Sequence, residues 1–97
     1  MQTQKFPVTI TLRKTEEMIY FSQLDLVHIL ERALRRTDLL LYFTQGYNPH
    51  VKISFKNGLK LGVEGEIGAV VYFNEKIDRE AVIEKLQKQL PQSLEIK

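Results

Sequence analysis

Apolar and polar side chains alternate along residues 7–13, which read Pro-Val-Thr-Ile-Thr-Leu-Arg. Because successive side chains of a strand point to opposite faces, this alternation predicts a half-buried β-strand. Residues 51–55 repeat the alternation and predict another strand. Residues 69–73 are nearly all apolar, as is typical of a central strand covered on both faces or nearly so. Residues 94–96 are long enough for one last short strand.

The pattern changes to a helical period after Ser22. Asp25 follows three residues later, so we expect a capping box in which the serine hydroxyl accepts the Asp25 amide proton and the aspartate reaches back to the serine amide. The helix should run from Gln23 to about Thr37, with its apolar residues on one side. The apolar side contains Leu26, Val27, Ile29, Leu30, Ala33 and Leu34. The opposite side, which we call the charged stripe, contains Asp25, His28, Arg32, Arg35 and Arg36.

A second helix is predicted over about residues 79–89, with Asp78 as its cap and Pro91 as its stop. The elements then follow the order βαββαβ within a single domain spanning residues 1–97. With right-handed crossovers, this order predicts an α+β fold of the ferredoxin-like split βαβ type, an antiparallel sheet with two helices on one face. Residues 39–43 are the irregular part, since they could form an edge strand or only connect helix to strand.

The composition narrows the chemistry that the chain can perform. It contains no cysteine, which excludes disulfides, cysteine-ligated zinc and a thiol nucleophile. His28 and His50 could hold a metal only if the fold brought them together with Asp25 as a third ligand. No apolar run approaches the roughly 20 residues of a membrane helix, and the N-terminus has no apolar signal core. We therefore expect a cytoplasmic domain with no membrane partner, no cofactor and no metal.

Charge is unevenly distributed along the chain. Residues 28–60 contain six basic residues against two acidic ones, whereas the whole chain has a net charge of +2. A basic middle segment indicates a face for an anionic partner, although surface lysines also serve solubility alone.

The charged stripe admits two interpretations. Arginines on an exposed face offer bidentate hydrogen bonds to phosphate oxygens. Alternatively the stripe is only a solvated face, with Asp25 acting as the cap and Arg35 paired with Glu31 one turn earlier. We favour the solvated interpretation for Asp25 and Arg35. The remaining arginines, Arg32 and Arg36, have no acid four residues away, so for them we favour binding.

Residues 44–50, which read Thr-Gln-Gly-Tyr-Asn-Pro-His, predict a turn that we call the 44–50 loop. Tyr47 could stack on a base, while Asn48 and His50 could form hydrogen bonds with polar base edges. The alternative is that the asparagine and proline are turn formers and that Tyr47 is a core aromatic.

The position of the 44–50 loop depends on residues 39–43. If these residues only connect two elements, the loop lies beside Arg35 and Arg36. If they form a paired edge strand, the loop is carried back towards Asp25 and His28. We expect the first arrangement and hence a basic pocket at the loop. Its members would be Arg32, Arg35 or Arg36 together with Asn48 and His50.

Five stretches follow one another in a recognisable order: Tyr-Phe-Ser-Gln-Leu-Asp-Leu at 20–26, Arg-Ala-Leu-Arg-Arg at 32–36, Tyr-Phe-Thr-Gln-Gly-Tyr-Asn-Pro-His at 42–50, Ile-Ser-Phe at 53–55 and Leu-Lys-Leu-Gly-Val-Glu at 59–64. In these stretches the chain resembles the radical-SAM-associated family of unknown function. Its members read approximately Phe-x-Ser-His-Leu-Asp, Arg-x-x-Arg-Arg, Tyr-Ser-x-Gly-Phe-Asn-Pro-His, Ser-Phe and Leu-x-Leu-Gly-Val-Glu. The likeness extends over about residues 6–97.

This resemblance implies a partner class, a radical SAM protein, and no particular reaction. Gln23 stands where the family usually has histidine, which weakens a metal or acid–base role at that position. His28 and Leu40 stand where arginine and proline are common. Family members are usually longer, so the resemblance implies that a second half of the site is either absent or supplied by another protein.

The function expected from these observations is a non-catalytic module that binds an anionic partner, RNA in the first instance. The residues expected to bind are Arg32, Arg35, Arg36, Tyr47, Asn48, His50 and Lys52, with Asp25 and His28 as a further polar site. The alternative is an accessory subunit that docks on a radical SAM enzyme through residues 39–43. A third interpretation is an enzyme with His50 as general base.

Overall fold

The computed structural model of the protein describes residues 5–56 and 65–97. The predicted order of strands and helices is present, with a short 3₁₀ helix added after the first strand. In chain order the elements are β1 (Phe6–Lys14), the 3₁₀ helix (Glu16–Tyr20), α1 (Gln23–Arg35), β2 (Ile53–Phe55), β3 (Gly65–Phe73), α2 (Arg79–Gln87) and β4 (Leu94–Ile96). The Leu-Lys-Leu-Gly-Val-Glu stretch at 59–64 lies outside the described residues.

The four strands form one antiparallel sheet in the order β2-β3-β1-β4. The two long strands are at its centre and pair from Phe6 opposite Phe73 to Lys14 opposite Gly65. The short strands β2 and β4 are at the two edges. The predicted α+β class is therefore confirmed, and the strand order is compatible with the split βαβ arrangement.

One face of the sheet carries the hydrophobic core. Ile10 and Leu12 of β1, and Val71 and Phe73 of β3, are fully buried in it. Apolar residues of both helices belong to the same cluster, so both helices pack on this face. Residues 69–73 were expected to be covered on both faces or nearly so; Ala69, Val71 and Phe73 are buried on the core side, and Val70 and Tyr72 are half-buried on the other. We call that side the outer face; its residues on the central strands are Pro7, Thr9, Thr11, Arg13, Glu66, Gly68, Val70 and Tyr72.

The start of α1 is set by the predicted capping box. The Ser22 hydroxyl accepts the Asp25 amide proton at 3.2 Å, and the Asp25 carboxylate accepts the Ser22 amide proton at 2.9 Å. The helix ends at Arg35, two residues earlier than expected. There the Thr37 hydroxyl donates to the Leu34 carbonyl oxygen at 2.6 Å and occupies an acceptor that a further turn would have used.

Residues 39–43 are paired, although too briefly to form a regular strand. Isolated bridges join Leu41 to Phe73 and Phe43 to Val51. Regular pairing resumes only at Ile53, so β2 is shorter than the predicted strand over 51–55. The expectation that 39–43 is only a connection is therefore corrected.

The remaining differences from the predicted elements are local. The 3₁₀ helix Glu16–Tyr20 occupies residues for which no regular structure was expected. β3 is longer than predicted, because it already begins at Gly65. α2 ends at Gln87, and Asp78 takes the N-cap position without a side-chain capping hydrogen bond. None of the helices within residues 5–56 and 65–97 is long and apolar enough to cross a membrane.

Candidate functional site

The charged stripe of α1 is exposed over its whole length, as predicted. Its first member, Asp25, is engaged in the capping box. Hydrogen bonds from the backbone and the hydroxyl of Ser22 hold the pKa of the Asp25 carboxyl below its usual value. The interpretation of Asp25 as a cap is confirmed, and the binding residues must be sought further along the helix.

Glu31 lies at the border of the apolar side of α1, and its side chain is only 12% exposed. Its Oε2 atom accepts a hydrogen bond from Arg35 Nη2 at 2.9 Å and another from the Val51 backbone amide at 3.3 Å. His50 Nδ1 lies 3.4 Å from the same oxygen. One carboxylate thus joins α1 to the end of the 44–50 loop, and we call this group of four residues the Glu31 junction.

Hydrogen bonds compensate the negative charge of Glu31 for its partial burial. Burial raises the pKa of the Glu31 carboxyl, but the hydrogen bonds from Arg35, the Val51 amide and His50 together outweigh burial and lower the pKa below its usual value. The Arg35 guanidinium also lies 4.9 Å from the centroid of the Phe43 ring. The prediction that Arg35 pairs with Glu31 is confirmed, and its contact with Phe43 links α1 to the segment just before the 44–50 loop.

The 44–50 loop is closed at its neck and exposed at its tip. The Thr44 amide donates to the His50 carbonyl oxygen at 2.7 Å, and the Thr44 hydroxyl accepts the His50 amide proton at 3.0 Å. Beyond this neck, Gly46 adopts a φ of +130°, a conformation that favours glycine. Tyr47 is 99% exposed, which excludes the alternative that it is a core aromatic. Asn48 is exposed beside it.

A second group of cations lies where the C-terminal ends of the two helices meet. Arg32 and Arg36 of the charged stripe, together with Lys88 after α2, line a depression of about 460 Å³ that we call the basic groove. Its other lining residues are uncharged: Ile29, Gln89, Leu90 and Pro91. None of the ion pairs within the described part of the chain includes a cation of the groove. The groove therefore gathers three cations that none of the ion pairs among the described residues neutralises.

The expected pocket is brought together only in part. Arg35 and His50 meet at Glu31, as the favoured arrangement required, whereas Asn48 lies on the exposed loop tip. Arg32 connects the Glu31 junction to the basic groove, because it also lines a depression of about 240 Å³ beside the junction. The residues around that depression are His28, Glu31, Arg32 and Arg35.

The three candidate metal ligands take different positions. His50 lies against Glu31, Asp25 bonds Ser22, and His28 borders the depression beside the junction. No group of three or more histidine, aspartate or glutamate side chains among the described residues could hold a metal ion.

Lys52, the last of the predicted contact residues, lies on the outer face of the sheet. Its Nζ atom is 5.4 Å from the centroid of the Tyr72 ring. Lys88 was not predicted to belong to a site. Its position just after α2 was the available clue, because cations are favoured at the C-terminal end of a helix. Glu31 was predicted only as the partner of Arg35, and its contacts with the Val51 amide and His50 were not foreseen.

Residues 8–97 match the model of a family described as "Uncharacterized protein conserved in bacteria (DUF2344)". None of the curated proteins and none of the solved structures compared with the chain matches it. The expectation of a family of unknown function is thereby confirmed. Because the match extends over far more than half of the sequence, this chain belongs to the uncharacterised bacterial DUF2344 family.

Proposed function

We propose that the chain is a cytoplasmic, non-catalytic module that binds an anionic partner, and that the partner is RNA. The observation that carries the proposal is the basic groove, where Arg32, Arg36 and Lys88 surround one depression. Uncompensated cations repel one another, and a bound phosphate relieves that repulsion while it accepts the forked N–H donors of a guanidinium. RNA offers a series of phosphates, so several such contacts add along one molecule.

The 44–50 loop supports the proposal with a second kind of contact. Glu31 fixes the base of the loop through His50 and the Val51 amide, while Tyr47 and Asn48 project from its tip. An exposed tyrosine ring offers a stacking surface for a base, and an amide can form hydrogen bonds with a base edge. In this proposal the basic groove binds phosphates and the loop tip contacts bases.

The test is a salt titration of binding between the full chain and a mixed tRNA pool. Phosphate contacts predict a steep loss of affinity with rising salt, because each contact releases a condensed counterion. Replacing Arg32 and Arg36 by glutamine should reduce the magnitude of the logarithmic salt slope by roughly one to two. Undetectable binding of the wild-type chain at ~50 mM salt would overturn the RNA proposal.

The matched control removes two cations that already have acidic partners. Lys85 lies 2.7 Å from Asp38, and Lys97 lies 3.0 Å from Glu66. The double variant Lys85→Gln/Lys97→Gln lowers the net charge by the same amount as the groove variant. It should therefore retain RNA affinity within about twofold, because paired surface cations contribute little beyond their pair. Equal losses in both double variants would indicate an effect of net charge alone.

A second candidate function is docking on a radical SAM enzyme, and one observation favours it. Leu40 is 54% exposed although its neighbours Leu39 and Leu41 are buried. A depression of about 380 Å³ adjoins it, and its lining residues are Arg35, Thr37, Leu39, Leu40, Leu41, Phe43 and Asn74. An exposed apolar side chain beside a partly apolar depression is a common feature of protein contacts.

Co-purification with a radical SAM enzyme distinguishes docking from RNA binding. A docked complex should survive nuclease treatment and should be lost in Leu40→Asp, which places a charge in the apolar contact. If substitution of Tyr47 and His50 also abolishes co-purification, the docking contact includes the 44–50 loop. Sensitivity to nuclease, with Leu40→Asp unaffected, would instead indicate that RNA bridges the two proteins.

A further inference from the structure

Three chain segments meet at one point on the sheet. The Tyr42 amide donates to the Tyr72 carbonyl oxygen at 3.0 Å, the Tyr72 amide donates to the Lys52 carbonyl oxygen at 3.2 Å, and the Lys52 amide donates to the Tyr42 carbonyl oxygen at 2.9 Å. This closed ring of hydrogen bonds fixes the three backbones against one another. It therefore fixes the positions from which their side chains extend.

The side chains gathered there belong to the outer face. Tyr72 points away from the core because its neighbours in β3 point into it. Lys5 Nζ lies 5.8 Å from the centroid of the Tyr42 ring and 5.7 Å from that of Tyr72, and Lys52 Nζ lies 5.4 Å from that of Tyr72. Tyr42 is 8% exposed yet lies outside the core cluster. We call Lys5, Tyr42, Lys52 and Tyr72 the outer-face cluster.

Positive charge at this end of the outer face has no counter-charge in contact. None of the ion pairs in the described ranges, 5–56 and 65–97, includes either lysine of the cluster. The neighbours in register are uncharged, with Pro7 opposite Tyr72 and Ser54 opposite Val70. A further cation, Lys56, lies along the same face, where its side chain crosses Gly68.

The other end of the outer face is balanced. The register places Arg13 between Glu66 of β3 and Glu95 of β4. Lys97 Nζ lies 3.0 Å from Glu66 Oε2. The same face thus carries lysines without acids at one end, and cations beside acids at the other.

The contacts with the rings leave the lysines able to bind an anion. A cation–π contact occupies one side of an ammonium group, and the remaining N–H donors stay available to an acceptor. The rings also hold two like charges around Tyr72, a repulsion that a phosphate between them would relieve. Because the lysines lie over the ring faces, the tyrosines orient cations here and do not serve as base-stacking platforms.

We propose that the outer-face cluster binds phosphate groups of single-stranded RNA, with Lys5 and Lys52 as the contacting residues. This inference rests on the proposed function and adds to it a second RNA surface, on the opposite side of the sheet from the helices. Lys52 and Lys56 are four positions apart, which corresponds to about 13 Å along an extended segment. An extended RNA strand can place successive phosphates along that line.

The experiment measures the affinity of the full chain for a fluorescein-labelled oligouridine by fluorescence anisotropy over a range of salt concentrations. The test variant is Lys5→Gln/Lys52→Gln, which leaves a polar side chain one atom shorter than lysine at each position and removes the charges. It should bind about tenfold more weakly at ~50 mM salt, with the magnitude of the salt slope reduced by about 1.4, the value for two contacts on a single strand. Lys5→Arg/Lys52→Arg should retain binding, because it restores the charges.

The matched control is Arg13→Gln/Lys97→Gln, which removes two cations from the balanced end of the same face and should bind within about twofold of wild type. Normal affinity in Lys5→Gln/Lys52→Gln, with loss in Arg32→Gln/Arg36→Gln, would overturn the outer-face site and leave the proposed function standing. Absence of any RNA binding by wild type would overturn both. An equal loss for an RNA duplex would overturn the single-strand assignment.

Discussion

The Glu31 junction and the basic groove both include residues of α1. The cations of the junction contact a carboxylate, whereas the cations of the groove form no ion pair among the described residues. In the junction, one buried carboxylate receives Arg35, the Val51 amide and His50. In the groove, Arg32 and Arg36 face Lys88 and uncharged residues. Cations that look alike in the sequence therefore differ in the structure by whether an acid is already in contact with them.

This difference separates the structural role of a cation from its capacity to bind. The Arg35 guanidinium is occupied by a carboxylate of its own helix, and a phosphate would have to compete with that carboxylate for it. An arginine without such a partner adds its charge and donors to whatever anion arrives. The stretch Arg-Ala-Leu-Arg-Arg at 32–36 contains both kinds, since Arg35 belongs to the junction while Arg32 and Arg36 belong to the groove.

The largest expected effect comes from removing the acid that defines the junction. Glu31→Ala leaves the Val51 amide, Arg35 and His50 without their shared acceptor, and it should lower the free energy of unfolding by about 2 kcal/mol. Urea unfolding followed by circular dichroism measures this change. The exposed Glu84 of α2 provides the control, and Glu84→Ala should change stability by less than about 0.5 kcal/mol. Similar values for the two variants would refute a structural role for the junction.

A smaller effect should appear in the pH dependence of stability. The folded state lowers the pKa of Glu31 below its usual value of 4.5, so its contribution is fully present above that pH and is lost as the pH falls through the folded pKa. Wild type should therefore be more stable than Glu31→Gln near neutral pH, and the two proteins should converge as the pH falls below 4.5 and through the folded pKa of Glu31.

Urea titrations of both proteins across this range provide the measurement. Asp25 and Asp38 also have lowered pKa values, but they titrate in wild type and variant alike, so the difference between the two curves isolates Glu31. Parallel curves without convergence would show that the junction does not depend on the Glu31 charge.

The smallest expected effect is the difference in stability between Arg35→Ala and Arg32→Ala. Arg35→Ala removes the ion pair with Glu31 and the contact with the Phe43 ring, and should cost about 0.5–1 kcal/mol of stability. Arg32→Ala removes a cation without an ion-pair partner among the described residues and should change stability by less than about 0.5 kcal/mol. Thermal unfolding measures which variant loses more stability. A larger loss in Arg32→Ala than in Arg35→Ala would contradict the assignment of the two roles.

Features that depend on neighbours along the chain could be predicted from the amino-acid sequence. Alternation along 7–13 was sufficient to place β1, because the period of two is a property of the strand backbone. Ser22 and Asp25 were sufficient to place the start of α1, because a capping box needs only groups within one turn. The exposed charged stripe and the Glu31–Arg35 pair followed from the same helical period.

Contacts between charged groups from distant parts of the chain could not be predicted in this way, because they depend on the fold. Glu31 reaches the Val51 amide because the isolated bridges of residues 39–43 return the loop to α1, and those pairings depend on the register of the sheet. Lys88 joins the basic groove because the C-terminal ends of the two helices border the same depression. The outer-face cluster draws on four separate parts of the chain, from Lys5 to Tyr72. Such contacts leave no local period in the sequence, since packing and strand register, and not spacing along the chain, bring these groups together.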